Sequence, residues 1–139
     1  MKCKKMGTVY FVRIDRGEEV VSELKKVCEK HNIKLGKISA IGAVNKATIG
    51  FFDVAEKQYH STILTGDHEI TTLLGNITTM DGEIYLHCHI TLAGEDQKVI
   101  GGHLNEAVVS ATCEAIIEEF SGEVNRFRDE TLGLNLLDV

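Results

Sequence analysis

The run Thr8-Val-Tyr-Phe-Val-Arg-Ile14 is dense in β-branched and aromatic residues and predicts a strand. From Glu18 to His31 the apolar period lengthens. Val20, Val21, Leu24, Val27 and Cys28 fall on one stripe of a helix. Glu18 and Glu19 open its first turn and Lys30 and His31 close its last, as the macrodipole favours, with Asn32 as the stop. Beyond this helix the period is two. Residues 37–44, 46–53, 58–64 and 69–78 read as short strands, punctuated by turns at Gly42, Asn45, Gly66-Asp67 and Asp81-Gly82. Residues 83–92 form the clearest strand. Residues 107–120 fit two patterns: Ala107, Val108, Ala111 and Ala115 suit a helix face, and Val109, Ala111, Cys113, Ala115 and Ile117 alternate as a strand. One helix followed by closely spaced strands predicts an α+β fold, a twisted and mostly antiparallel β-sheet with a flanking N-terminal helix. The connections are too short for parallel crossovers.

Composition narrows the reading. The 139 residues suit one domain, 1–139, large enough for a real core. Fifteen basic against 21 acidic residues give a net charge of −6, which argues against a general grip on duplex phosphates and makes direct DNA binding unexpected. Lys2, Lys4 and Lys5 read as a small basic tail at a frayed terminus. No apolar run reaches the roughly 20 residues of a membrane span. Cys3, Cys28, Cys88 and Cys113 stand far apart and read as reduced thiols of a cytoplasmic protein, Cys28 and Cys113 among apolar neighbours. There is no phosphate-binding glycine loop and no nucleophile elbow around Ser110 or Ser121.

The chemistry concentrates in the strand Ile84-Tyr-Leu-His-Cys-His-Ile-Thr-Leu92. Alternation puts Ile84, Leu86, Cys88, Ile90 and Leu92 on one apolar face and Tyr85, His87, His89 and Thr91 on the other. Two imidazoles at i and i+2 lie roughly 7 Å apart at Cα. The polar stretch Gly94-Glu-Asp-Gln-Lys98 predicts a hairpin loop, and a hairpin symmetric about Asp96 sets His103 opposite His89 on the same face. A slip of one residue would turn His103 to the apolar side. Three imidazoles with an open position are the ligand set of a catalytic-type zinc site and also suit other divalent transition metals. Water, Glu69, Glu106 or Glu114 would complete the set, and Cys88 points away from it. The competing reading is a polar, solvated strand face with His103 capping a turn. Tyr85 and Thr91 share the histidine face and are placed to orient a ligand, with Glu69 or Glu114 as acid or base. His31 reads as a helix-end residue, and His60 and His68 as surface residues without a role.

The runs Gly42-Ala-Val-Asn-Lys-Ala-Thr-Ile-Gly-Phe-Phe-Asp53, Glu69-Ile-Thr-Thr-Leu-Leu-Gly-Asn-Ile-Thr78, the histidine strand from Asp81 to Ala93, and Gly101-Gly-His-Leu104 together resemble the plants-and-prokaryotes-conserved (PPC) domain in its free-standing prokaryotic form. The resemblance extends from about Val9 to Leu134. It implies an α+β fold, a homotrimer, and a metal, zinc foremost, on His87, His89 and His103. The fold it implies also resembles acetolactate decarboxylase, which holds a metal on three histidines. Plant members bind DNA through a separate AT-hook, whose Arg-Gly-Arg-Pro core is impossible in a chain without proline. Their Gly-Arg-Phe-Glu-Ile stretch, linked to partner binding, is matched here by Gly66-Asp67-His68-Glu69-Ile70, without the Arg-Phe pair.

Two functions are therefore expected of the sequence. The first is a cytoplasmic, homotrimeric metal-binding protein whose three-histidine site takes a small ligand or substrate. The alternative is a non-catalytic, DNA-associated or regulatory binding module.

Overall fold

The structure is a computed structural model that describes residues 1–139. In chain order the elements are β1 (Lys2–Met6), β2 (Val9–Asp15), α1 (Val20–His31), β3 (Gly36–Asp53), β4 (Gln58–Met80), β5 (Glu83–Ala93), β6 (Val99–Glu119), β7 (Arg126–Asp129) and β8 (Leu134–Leu137). The fold is α+β and mostly antiparallel, as expected. No helix is long and apolar enough to cross a membrane.

Helix α1 begins at Val20, two residues later than the expected start at Glu18, because Glu19 is its cap. The Glu19 carboxylate accepts from the amides of Val21 and Ser22, at 2.8 and 2.7 Å, so two otherwise orphaned donors are satisfied. The same carboxylate accepts from the Ala107 amide of β6 at 3.0 Å, which ties the helix start to the sheet. At the other end Asn32 adopts a left-handed conformation (φ 53°), the conformation that ends helices. The stripe Val20, Leu24, Val27 and Cys28 is fully buried against Tyr10, Val12 and Ile14 of β2 and the inner face of β6. Burying each large side chain contributes roughly 1.5–3 kcal/mol.

Two expectations change and one open choice is settled. Lys2, Lys4 and Lys5 do not fray: β1 pairs with β2 in register Lys2↔Arg13 to Met6↔Val9. Strand pairing satisfies backbone groups that composition alone could not assign. Gly42, Asn45 and Gly66-Asp67 are not turns between short strands but irregularities inside two long ones. The β3–β4 ladder shifts register between Ala40 and Gly42 and between Val44 and Lys46, and Gly66 (φ 90°) supplies a backbone angle that a bulge requires. Finally, residues 107–120 belong to a strand. β6 alternates Val109, Cys113, Ala115 and Ile117 inward, and it forms ladders with β2, β3 and β5.

The sheet order is β1-β2-β6-β3-β4-β5, with β5 also pairing back to β6. Four strands, β3, β4, β5 and β6, therefore close into a barrel-like ring. The closure falls at one residue: His103 stands opposite Gly50 of β3 on one side and His89 of β5 on the other. The short β7–β8 hairpin lies beside β4, joined by the Thr79↔Asn125 bridge and by Arg126.

Candidate metal centre

The hairpin between β5 and β6 has the predicted register, with His89 directly opposite His103. The glycines before His103 permit it: a Cβ on Gly102 would lie 2.6 Å from the Gly50 carbonyl oxygen. His87 is two residues from His89 on the same face. The three imidazole centroids are 5.2 Å (His87–His89), 5.1 Å (His87–His103) and 5.5 Å (His89–His103) apart. One ring nitrogen from each residue lies within 4.8 Å of the others. A tetrahedral zinc site would hold such nitrogens about 3.4 Å apart, from zinc–nitrogen distances of about 2.05 Å.

The donor chemistry fits a divalent metal. Burial, with smaller contributions from the charges of His103, Arg126 and His89, pushes the His87 imidazole down to about 4. Burial and then His89 lower His103. Both rings are thus neutral at physiological pH, the form that ligates a metal. Cys88, between the two histidines in sequence, is buried on the opposite face, and burial raises its thiol to about 12. It belongs to the core.

No carboxylate joins the three rings. Glu106 is paired with the Lys46 ammonium at 2.9 Å and accepts from the Thr48 hydroxyl. Glu114 lies opposite Arg13 and Ile41, in a hollow between β1, β2, β3 and β6. Glu69 stands opposite Ala93, about 13 Å along β5 from His89 by strand rise, and it lines a separate hollow with Asp67, His68 and Glu95. The shift in register between Ile70 and Thr72 lies between Glu69 and the rung of the histidines. Thr91 does share the histidine face, and its hydroxyl is 2.7 Å from that of Thr71. Tyr85 shares it too, with its hydroxyl accepting from Asn135 Nδ2 at 3.3 Å.

Three neighbours of the centre were not legible in the sequence. The Tyr59 ring stands edge-on to His103 at 6.2 Å, anchored by a hydrogen bond from its hydroxyl to Asn105. It packs where Gly50 leaves room, since a Cβ there would collide with the Tyr59 hydroxyl. Asn76 is the rung partner of His87. Arg126, only 7 % exposed, covers the Tyr85 ring at 4.9 Å and donates to Asn76 Oδ1 and Thr78 Oγ1 at 2.8 and 2.9 Å, and to the Asn135 carbonyl at 2.8 Å. The Gly50–Tyr59 pairing depends on a 23-residue strand that looked like two shorter ones, and Arg126 arrives from a distant hairpin.

An antiparallel barrel-like α+β fold presenting three clustered histidines beside a strand closure defines the class. The chain belongs to the Plants and Prokaryotes Conserved (PCC, also PPC) domain family, whose model matches residues 1–121. Solved structures agree. A protein from Bacteroides thetaiotaomicron, provisionally described as DNA-binding, is 35% identical, with a TM-score of 0.96 over 99% of this chain and 96% of that one. A protein from Archaeoglobus fulgidus described as metal-containing is 38% identical, with a TM-score of 0.88 over 95% and 94% of the two chains. A PPC protein from Pyrococcus horikoshii is 30% identical, with a TM-score of 0.86 over 99% and 94%. No curated protein matches the chain.

Proposed function

We propose that this chain is a cytoplasmic, single-domain, homotrimeric metal-binding protein, with zinc held by His87, His89 and His103 and an open position for a small ligand. The convergence of three imidazole ring nitrogens within 4.8 Å of one another carries this reading, and the metal-containing description of the Archaeoglobus relative supports it. A bound zinc would supply Lewis-acid polarisation of a carbonyl or carboxylate, or a water of lowered pKa. Tyr85 and Thr91 border the open side and would orient the ligand, and Tyr59 would wall it beside His103. Glu69 is too far along the sheet to contribute. A likeness to acetolactate decarboxylase, which the family resemblance implies, would be one of fold and would not by itself assign a reaction.

The trimer reading comes from the family resemblance, and an exposed apolar row across the outer sheet face supports a subunit contact. Phe11, Ile116, Ser39, Leu74 and His89 are successive rung partners from β2 to β5. Phe11, Leu74 and the nearby Ile41 are 47%, 58% and 59% exposed, more apolar surface than a strand face turned to water ordinarily carries. That row ends at the metal centre, so a subunit contact there would border the site. Metal analysis of the purified chain, with and without His103→Ala, tests the centre. Assays of the metal-loaded protein against small oxo- and hydroxy-acids test for a reaction.

A DNA-associated role is the second reading, favoured by the description of the Bacteroides relative. Pairing of β1 with β2 sets Lys2 beside Arg13, with Lys4 one step along the same face, in a hollow of about 500 Å³. Gel-shift titration at low and physiological salt discriminates, since phosphate contacts strengthen steeply as salt falls. No retardation at low salt would remove direct binding.

A further inference from the structure

Arg126 is a buried cation with no anionic partner. Its three hydrogen-bond acceptors are the Thr78 hydroxyl, the Asn76 amide oxygen and the Asn135 carbonyl, all neutral. The ion pairs of the chain involve other residues. Burying an unpaired charge is costly, and such charges ordinarily meet a counter-ion. Arg126 also lies beside the histidine strand: it grips Asn76, the rung partner of His87, and covers the ring of Tyr85, two residues from His87 on the same face. The centre itself contains no carboxylate. A divalent metal there would add two positive charges beside the guanidinium, with nothing in the chain to balance either.

We infer that Arg126 supplies the positive field that selects an anionic ligand, a small carboxylate, for the open position of the three-histidine centre. This inference rests on the metal reading and narrows it from any small ligand to a carboxylate. Arg126 lies beyond residues 1–121, the region matched by the family model. It acts as a positioning charge. The carboxylate would bind at the metal, where the guanidinium field offsets its negative charge.

The test uses the full chain loaded with cobalt(II), titrated with oxalate as the anionic probe and imidazole as the neutral one, followed by visible absorption. Arg126→Gln removes the charge but keeps a donor. Asn76→Asp leaves Arg126 in place and neutralises it internally, so the result survives if Arg126→Gln fails to fold. In both variants oxalate affinity should fall by about tenfold or more while imidazole affinity stays within about twofold. Cobalt affinity should hold or rise, because a like charge near the metal has been removed or balanced. Arg126→Lys should recover most of the oxalate affinity. Unchanged oxalate affinity in a variant that still takes cobalt, or equal losses for oxalate and imidazole, overturns the inference and leaves the metal reading standing. A native chain that takes no cobalt overturns the metal reading and this inference with it.

Discussion

His89 and His103 face each other across one antiparallel rung, 14 residues apart in sequence and 5.5 Å apart between ring centroids. His103 is at the same time the rung partner of Gly50, so the residue that closes the strand ring is also a candidate ligand. Any change that moves the closure moves the site.

Gly102→Ala is the sharpest test of that coupling. The added methyl would meet backbone, the Gly50 carbonyl, which cannot swing aside as a side chain can. The expected cost is about 1–3 kcal/mol of stability, as for other overpacked positions. Metal affinity should weaken in parallel. Urea denaturation and a metal titration on the same variant check both; full stability with an unperturbed site would show that the closure is loose.

Acid should weaken the metal-free fold through His87. In the unfolded chain this imidazole takes a proton near its ordinary 6.5, and in the folded chain burial holds it down to about 4. Between those values the unfolded state binds more protons, so stability falls as pH drops from 6.5 to 4 and flattens below. The ring is half exposed, and solvent screening keeps the effect small. Urea midpoints of the metal-free protein at pH 7, 5.5 and 4 should therefore decline less steeply in His87→Gln than in the native chain.

Glu19→Ala removes one carboxylate from three backbone donors at once, the amides of Val21, Ser22 and Ala107. A cap of this kind is worth about 0.5–2 kcal/mol, and a thermal melt should show a loss in that range. Glu19→Asp, with a shorter reach, should keep the helix amides and lose the tie to β6, giving an intermediate melt.

What the sequence disclosed, and what it hid, follows from how far each signal travels. The i, i+2 histidines declare their shared face through local geometry alone, and a five-residue loop carries His103 to its partner by simple counting. The stripe of α1 is equally local. The long strands were hidden because Gly42, Asn45 and Gly66-Asp67 have the composition of turns, and only the pairing of β3 with β4 and β6 decides between a turn and a bulge. β1 was hidden because its five residues are all exposed and carry no alternating pattern. Glu69 is carried to the histidine face by the register shift before Thr72, opposite Ala93, but it stands four residues along β5 from His89, a distance that residue type alone did not reveal. Tyr59 packs on His103 from 44 residues away, and Arg126 reaches the rung of His87 through Asn76, 50 residues away, and no pattern within either segment announces them.

Leu74→Asp tests whether the apolar row is a subunit contact. The native chain should sediment at about three times its 15.3 kDa, and the variant, with a charge at a position now 58% exposed, should fall to the monomer with its secondary structure retained. A native monomer would refute the trimer.

The most direct measurement is metal content by elemental mass spectrometry, on native protein and on His103→Ala, both purified without chelator or nickel affinity columns. A zinc centre on the three histidines gives close to one zinc per chain in the native protein and almost none in the variant, with unchanged circular dichroism. No metal in the native protein, even after zinc is added back, would contradict it and leave the histidine cluster an ordinary polar face.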